Sequence, residues 1–156
     1  MHTLAPVHTC SVTRFPLFTA DTAGFIDITD RIDTFVRAAK VRTGTITIQS
    51  MHTTTAIIVN EAEALLLADF QSLLDRLVPR GSIYRHDDLS QRPGVAADEP
   101  LNGHAHCRAL LLPTSVTLVI AGGQVALGRW QRIFLVELDG PRRREVSAVI
   151  SGEAAL

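Results

Sequence analysis

Four of the six histidines in this chain stand in polar surroundings: His52 precedes Thr53-Thr54-Thr55, His86 precedes Asp87-Asp88, and His104 and His106 flank Ala105. Imidazole is the commonest protein ligand for zinc-like ions, and a catalytic metal needs roughly three such donors plus an open position. A lone histidine at any of these places is more often a hydrogen-bonded surface or core residue, so the set carries the reading and no single member does. The spacing has no HExxH-type signature, and the rings can meet only through tertiary structure. Two residues apart on a helix, His104 and His106 point in quite different directions, so one of them joins a shared site and the other is spare, free to contact a phosphate or water.

Other side chains near these positions have chemistry to offer. Glu61, Asp87 and Asp88 can act as general bases or fix an imidazole tautomer. Glu61 would equally favour a helix dipole, and the two aspartates would equally keep a loop soluble. The hydroxyls of Thr53, Thr54 and Thr55 suit a phosphate, although threonine is also an ordinary strand residue. Arg142-Arg143-Arg144 reads as a solvated hairpin tip, with anion binding as the alternative. Cys107, beside His106, reads as a buried structural thiol rather than a nucleophile.

The elements that must position these groups follow from periodicity. Thr9 to Phe18 is rich in β-branched and aromatic residues and contains Pro16, which predicts an edge strand. Ile32, Phe35, Val36 and Ala39 recur at helical spacing, predicting a helix over 31–41 capped by Asp30 and ended by Gly44. Alternation over 45–49 and a β-rich run over 54–59 predict two strands, with His52 at their junction. Asn60 as N-cap, Glu63 three residues on, and Leu66, Phe70, Leu73, Leu74 and Leu77 on one face predict a helix over 61–78. The polar stretch 82–103 is a long loop and the expected wall of the site. A short helix over 104–112 ends at Pro113. Strands follow over 115–121, 125–128, 130–138 and 145–151, and Gly122-Gly123 and Asp139-Gly140-Pro141 predict antiparallel hairpins between them.

Bulk composition narrows the function classes. The 156 residues, 46% hydrophobic, suffice for one core and predict a single domain over 1–156. Fifteen basic and sixteen acidic residues leave a net charge of -1, which gives no global field to hold a nucleic acid. Cys10 and Cys107 are too few for a disulfide framework and fit a reducing compartment. With no signal-like start and no apolar run of about 18 residues, the expectation is a soluble cytoplasmic protein without a membrane partner.

Several blocks in order carry a family resemblance. His52-Thr53-Thr54-Thr55-Ala56-Ile57-Ile58-Val59-Asn60-Glu61, then Tyr84-Arg85-His86-Asp87, then His106, then Gly128-Arg129-Trp130-Gln131-Arg132-Ile133-Phe134-Leu135 resemble the motifs of the YjbQ-like family, commonly labelled secondary thiamine-phosphate synthases. The likeness spans nearly the whole chain. It implies an α+β fold of mostly antiparallel strands with two or three helices, assembled as a homotrimer. It also implies a divalent metal, zinc first with magnesium or manganese as alternatives, held by His52, His86 and His106. Glu61 and Asp87 would be the catalytic groups and Ser115 and Gln131 would contact substrate, to which Thr53 and Arg129 are added as candidates by their own phosphate-binding chemistry. The implied activity joins a pyrimidine diphosphate to a thiazole phosphate with loss of pyrophosphate, and the partner is therefore a small phosphorylated molecule. A non-catalytic trimer that binds a metal or phospholigand is the alternative. The chain departs from the family at Arg129 and Arg132, where small residues are usual, and at Pro113, where glycine is common. These guanidiniums suit a phosphorylated or carboxylated ligand, or else subunit salt bridges.

Overall fold

A computed structural model describes residues 8–20, 24–96 and 98–154. Eight strands and three helices follow one another as β1 (His8–Phe18), β2 (Gly24–Asp27), α1 (Thr29–Ala39), β3 (Val41–Ser50), β4 (Thr55–Glu61), α2 (Ala64–Leu77), α3 (Gly103–Leu110), β5 (Ser115–Ala121), β6 (Gln124–Val125), β7 (Gln131–Glu137) and β8 (Arg143–Ala154). Two 3-10 turns, Arg85–Asp87 and Leu89–Gln91, interrupt the loop between α2 and α3. The strands form a five-stranded sheet in the order β1-β8-β3-β5-β6 and a three-stranded sheet in the order β2-β7-β4, with antiparallel pairing throughout.

The side-chain period of two explains how these sheets stack. Ile46 and Ile48 on β3 and Val146, Ala148 and Ile150 on β8 point inward and are buried against Ile57, Ile133 and Leu135 of the smaller sheet. One residue along, Ala56 and Val136 face the other way and pack with Leu74, Ala105 and Ala109 of α2 and α3. The smaller sheet is therefore covered on both faces, which is why residues 133–136 form an unbroken buried run. Ile32 and Val36 of α1 close the first core. The expected α+β class is what is observed. Among the described residues no helix is long and apolar enough to cross a membrane.

Pro16 lies in β1, which among the described residues pairs only with β8 and is the edge of its sheet, a place that tolerates the missing N–H. Other predicted boundaries move, each for a local reason. Helix α1 starts at Thr29, whose N–H donates to Asp27 Oδ1 at 2.9 Å, so Asp30 lies within the first turn instead of capping it. Lys40 takes a left-handed conformation (φ 53°) that ends the helix, and β3 begins at Val41, before Gly44. β4 continues through Asn60 and Glu61 because β7 pairs with each of them, so pairing overrides the local capping signal. Glu63 caps α2 instead, accepting from Leu65 N at 2.9 Å and Leu66 N at 2.7 Å. Leu74 alone of α2 is fully buried; Leu65, Leu73 and Leu77 are exposed.

The Gly122-Gly123 turn does join a hairpin, β5 to a β6 of only two residues. The Asp139-Gly140-Pro141 link does not. β7 and β8 belong to different sheets, so this link carries the chain from one layer to the other, and the hairpin expected there is corrected. Arg144 accordingly lies buried at the start of β8 and not on a solvated tip. Cys107 is also corrected: it is exposed on α3.

Candidate functional site

Three remote stretches deliver their imidazoles to one cleft. His52 sits in the turn between β3 and β4, His86 in the first 3-10 turn, and His106 on α3, and all three line a cavity of about 520 Å³ with Thr53, Arg92, Glu99, Asn102, Arg142 and Arg144. The His86 and His106 rings are 4.7 Å apart between centroids. His104, on the opposite side of α3, is buried toward Tyr84 with its ring 6.4 Å from the tyrosine ring. Of the two neighbours on α3, only His106 enters the shared site.

Hydrogen bonds from the surrounding elements fix each ring. Met51 N donates to Glu145 O at 3.1 Å, and Glu145 N donates to His52 Nε2 at 2.8 Å, so the start of β8 clamps the histidine turn. Nε2 must then be the lone-pair nitrogen of a neutral His52, which puts the proton on Nδ1. Asp87 Oδ1 accepts the Gly103 N–H at 2.8 Å and lies 3.3 Å from His86 Nδ1, joining the His86 turn to the helix that carries His106. Gly103 permits this approach, since a Cβ there would lie 2.5 Å from Tyr84 Cβ. Asp88 is occupied by Ser90 and Gln91 and serves its own turn.

Beneath the cleft lies an ion pair that sequence reading did not single out. Glu137 and Arg144 are both buried; Arg144 Nε donates to Oε2 at 2.7 Å and Nη2 to Oε1 at 2.5 Å. Glu137 Oε1 also accepts from Leu138, Asp139 and Gly140 N–H groups, and Oε2 from Thr19 Oγ1 at 2.9 Å. Arg144 reaches Thr54 Oγ1 at 3.2 Å, tying the pair to the histidine turn. Burial pushes the Glu137 carboxyl upward, but Arg144 and the backbone donors outweigh it and hold the group below the usual glutamate range. A carboxylate within Leu135-Val136-Glu137-Leu138 was the available signal, because an acid in a buried run needs a partner. Arg92 donates to His86 O at 3.1 Å and to Glu99 at 3.2 Å, closing the loop over the cleft.

The remaining expected site residues lie elsewhere. Glu61 is at the far end of β4 from Thr55, about 20 Å away at about 3.3 Å per residue, beside its register partner Gln131. Gln131 lines a different recess and accepts the Gly128 N–H at 2.8 Å. Arg129 stacks over exposed Trp130 at 4.6 Å, and Ser115 opens β5 beside Gln49. Arg132 is held within the chain by Asp27 and Asp30, at 2.8 and 3.2 Å. Of the expected substrate contacts, only Thr53 lines the histidine cleft among the described residues.

A zinc ion held by His52, His86 and His106 would need three converging nitrogen lone pairs at about 2.1 Å. Among the described residues no three His, Cys, Asp or Glu side chains are so disposed. His52 supplies the reason, since its Nε2 lone pair already accepts the Glu145 N–H. The three-histidine set therefore does not close within one chain, and His86 and His106 remain as an adjacent pair.

Electrostatics favours neutral rings here. Burial lowers the His52 pKa, with Arg144 adding to the effect and Glu137 and Glu145 opposing it; burial and then His86 lower that of His106. Burial followed by Arg80 and Arg108 does the same to His104. A folded value below the unfolded one, near 6.5, means the unfolded chain takes up protons first as pH falls. The stability these rings contribute is complete above about pH 6.5 and is lost as pH falls through their folded values. Urea midpoints are expected to drop between about pH 7.5 and about pH 5.5, with a smaller drop in the His104→Asn variant. An unchanged wild-type midpoint over that window would contradict the reading.

The UPF0047 protein YjbQ-like family model matches residues 13–153. The chain belongs to this family. A UPF0047 protein of Archaeoglobus fulgidus is 41% identical over 130 residues, covering 83% of this chain and 93% of the relative. A UPF0047 protein of Methanothermobacter thermautotrophicus is 36% identical over 140 residues, covering 90% and 91%. Among solved structures, a YbjQ-like protein of unknown function from Sulfolobus solfataricus superposes with a TM-score of 0.84 at 30% identity, covering 94% of this chain and 100% of the other. These YjbQ-like relatives carry a family designation and no activity, so the family is established while the thiamine-phosphate synthase label is not.

Proposed function

We propose that the cleft binds a small phosphorylated metabolite and acts on it with its histidines. The carrying observation is that three imidazoles and three guanidiniums from distant segments line one cavity of about 520 Å³. Arginine pairs with phosphate oxygens in a planar, bidentate manner, and Arg92, Arg142 and Arg144 are already oriented by Glu99, Asp139 and Glu137. Each imidazole beside them carries an N–H that can donate a hydrogen bond to a phosphate oxygen. Asp87 is a positioning residue in this reading, because it aligns His86 and anchors α3.

The thiamine-phosphate synthesis implied by family resemblance fits this chemistry. A C–O bond to diphosphate breaks, a C–N bond to the thiazole nitrogen forms, and pyrophosphate leaves with its charge neutralised by guanidinium groups and its oxygens hydrogen-bonded by imidazole N–H groups. A divalent cation, if used, would be held by His86 and His106 and not by His52. Calorimetric zinc titration is then expected to lose its signal in His86→Ala and keep it in His52→Ala. The homotrimer implied by the resemblance would offer cover for exposed Leu65, Leu73 and Leu77, and light scattering would report it as three times the 17.0 kDa chain mass. Assay of thiamine-phosphate formation tests the catalytic reading. No turnover by the wild type, together with tight pyrophosphate binding, would favour the non-catalytic phospholigand-binding protein.

A further inference from the structure

A second groove lies at the other end of the five-stranded sheet, away from the histidines. Arg37, Lys40 and Arg42, together with Val41 and the Gly122-Gly123 turn, line a cavity of about 740 Å³. Backbone geometry brings these three residues to one groove. Lys40 takes the left-handed conformation that ends α1, with its N–H donating to Arg37 O at 3.3 Å. The β3–β8 register shifts between Val41 and Thr43, leaving Arg42 as the extra residue of a bulge, a device that re-aims a side chain. Gly123 N then donates to Arg42 O at 3.0 Å, pinning the hairpin tip beside it. Both tip glycines have positive φ, 60° and 80°.

Charge distinguishes this groove from the others. Apart from Arg37, the arginines lining the other cavities are engaged: Arg31 with Pro16 O and the Phe15 ring, Arg132 with Asp27 and Asp30, and Arg92, Arg142 and Arg144 with carboxylates. Arg37, Lys40 and Arg42 have no carboxylate oxygen within 4.0 Å among the described residues. Three like charges around one concavity repel each other until an anion enters. The groove shares Arg37 and Gly123 with a smaller recess of about 240 Å³, where Thr29, Asp33, Gln124 and Gln131 offer uncharged donors and acceptors and one carboxylate.

We propose that this groove is a second ligand site, for a phosphate-bearing small molecule whose phosphate meets Arg37, Lys40 and Arg42 and whose hydroxyl- or amine-bearing end enters the recess beside Asp33 and Gln131. Gln131, which the histidine cleft leaves unused, thereby acquires a place. A nucleic-acid strand is the poorer occupant, since three cations and a short recess offer no extended track for a backbone.

Amide chemical shifts of the full-length protein, titrated with inorganic pyrophosphate, test this directly. Saturable shifts are expected at Gly122, Gly123 and Arg42. The Arg37→Gln/Arg42→Gln double variant, whose changes are at exposed positions, should bind at this site about tenfold or more weakly while shifts around His86 and His106 persist. An Arg92→Gln variant should leave the Gly122 and Gly123 response intact. Absence of saturable shifts at the tip glycines, or an equal response in the double variant, overturns the proposal. Either outcome is independent of what the histidine cleft does.

Discussion

Replacing Glu137 with alanine is expected to destabilise the protein by about 3–5 kcal/mol, the cost of leaving one half of a buried ion pair without its partner. Arg144 would keep its charge in a site that is 3% exposed, and the Asp139 and Gly140 N–H groups would lose their acceptor, while the Leu138 N–H and the Thr19 hydroxyl would keep only Thr54 O and Arg142 O. Against a total stability of about 5–15 kcal/mol, that is a large fraction. The double variant Glu137→Ala/Arg144→Met removes the stranded charge and should recover part of the loss. Urea unfolding of both variants and the wild type at neutral pH gives the comparison. A loss below about 1 kcal/mol in Glu137→Ala would show that the pair does not hold this corner of the fold.

His106→Gln is expected to lower thiamine-phosphate turnover by about 10²-fold or more, the usual cost of displacing a positioned hydrogen-bond donor from a leaving oxygen. Asp87→Asn should lower it less, because the amide oxygen can still accept the Gly103 N–H while the His86 ring loses its carboxylate partner. Both variants should keep the wild-type unfolding free energy at neutral pH within about 1 kcal/mol, since neither side chain is part of the buried pair. Full turnover in His106→Gln would remove the histidines from the chemistry and leave the cleft as a binding site alone.

Periodicity made the strands and the α+β class legible because half-buried strands must alternate, as Thr45 to Gln49 and Val146 to Ile150 do. Edge position followed from Pro16, and the separate fates of His104 and His106 from helix geometry. What escaped were long-range effects. Asn60 and Glu61 carry a helix-start signal, yet seven consecutive pairs with β7 hold them in a strand. The Asp139-Gly140-Pro141 turn looks the same whether it reverses the chain in one sheet or passes it to another. Arg144 belongs to a three-arginine run that reads as solvated, and only Glu137, seven residues earlier and on another sheet, makes its burial tolerable. For the same reason the three histidines could be grouped by type, while the backbone N–H that occupies His52 Nε2 had no counterpart in the sequence.

The cleft itself is tested most directly by a crystal structure of the full-length protein with saturating inorganic pyrophosphate. Its oxygens are predicted within hydrogen-bonding distance of at least one of Arg92, Arg142 and Arg144 and of a nitrogen of His86 or His106. A histidine cleft without bound anion under those conditions, whatever occupies the groove at Arg37 and Arg42, would contradict the account.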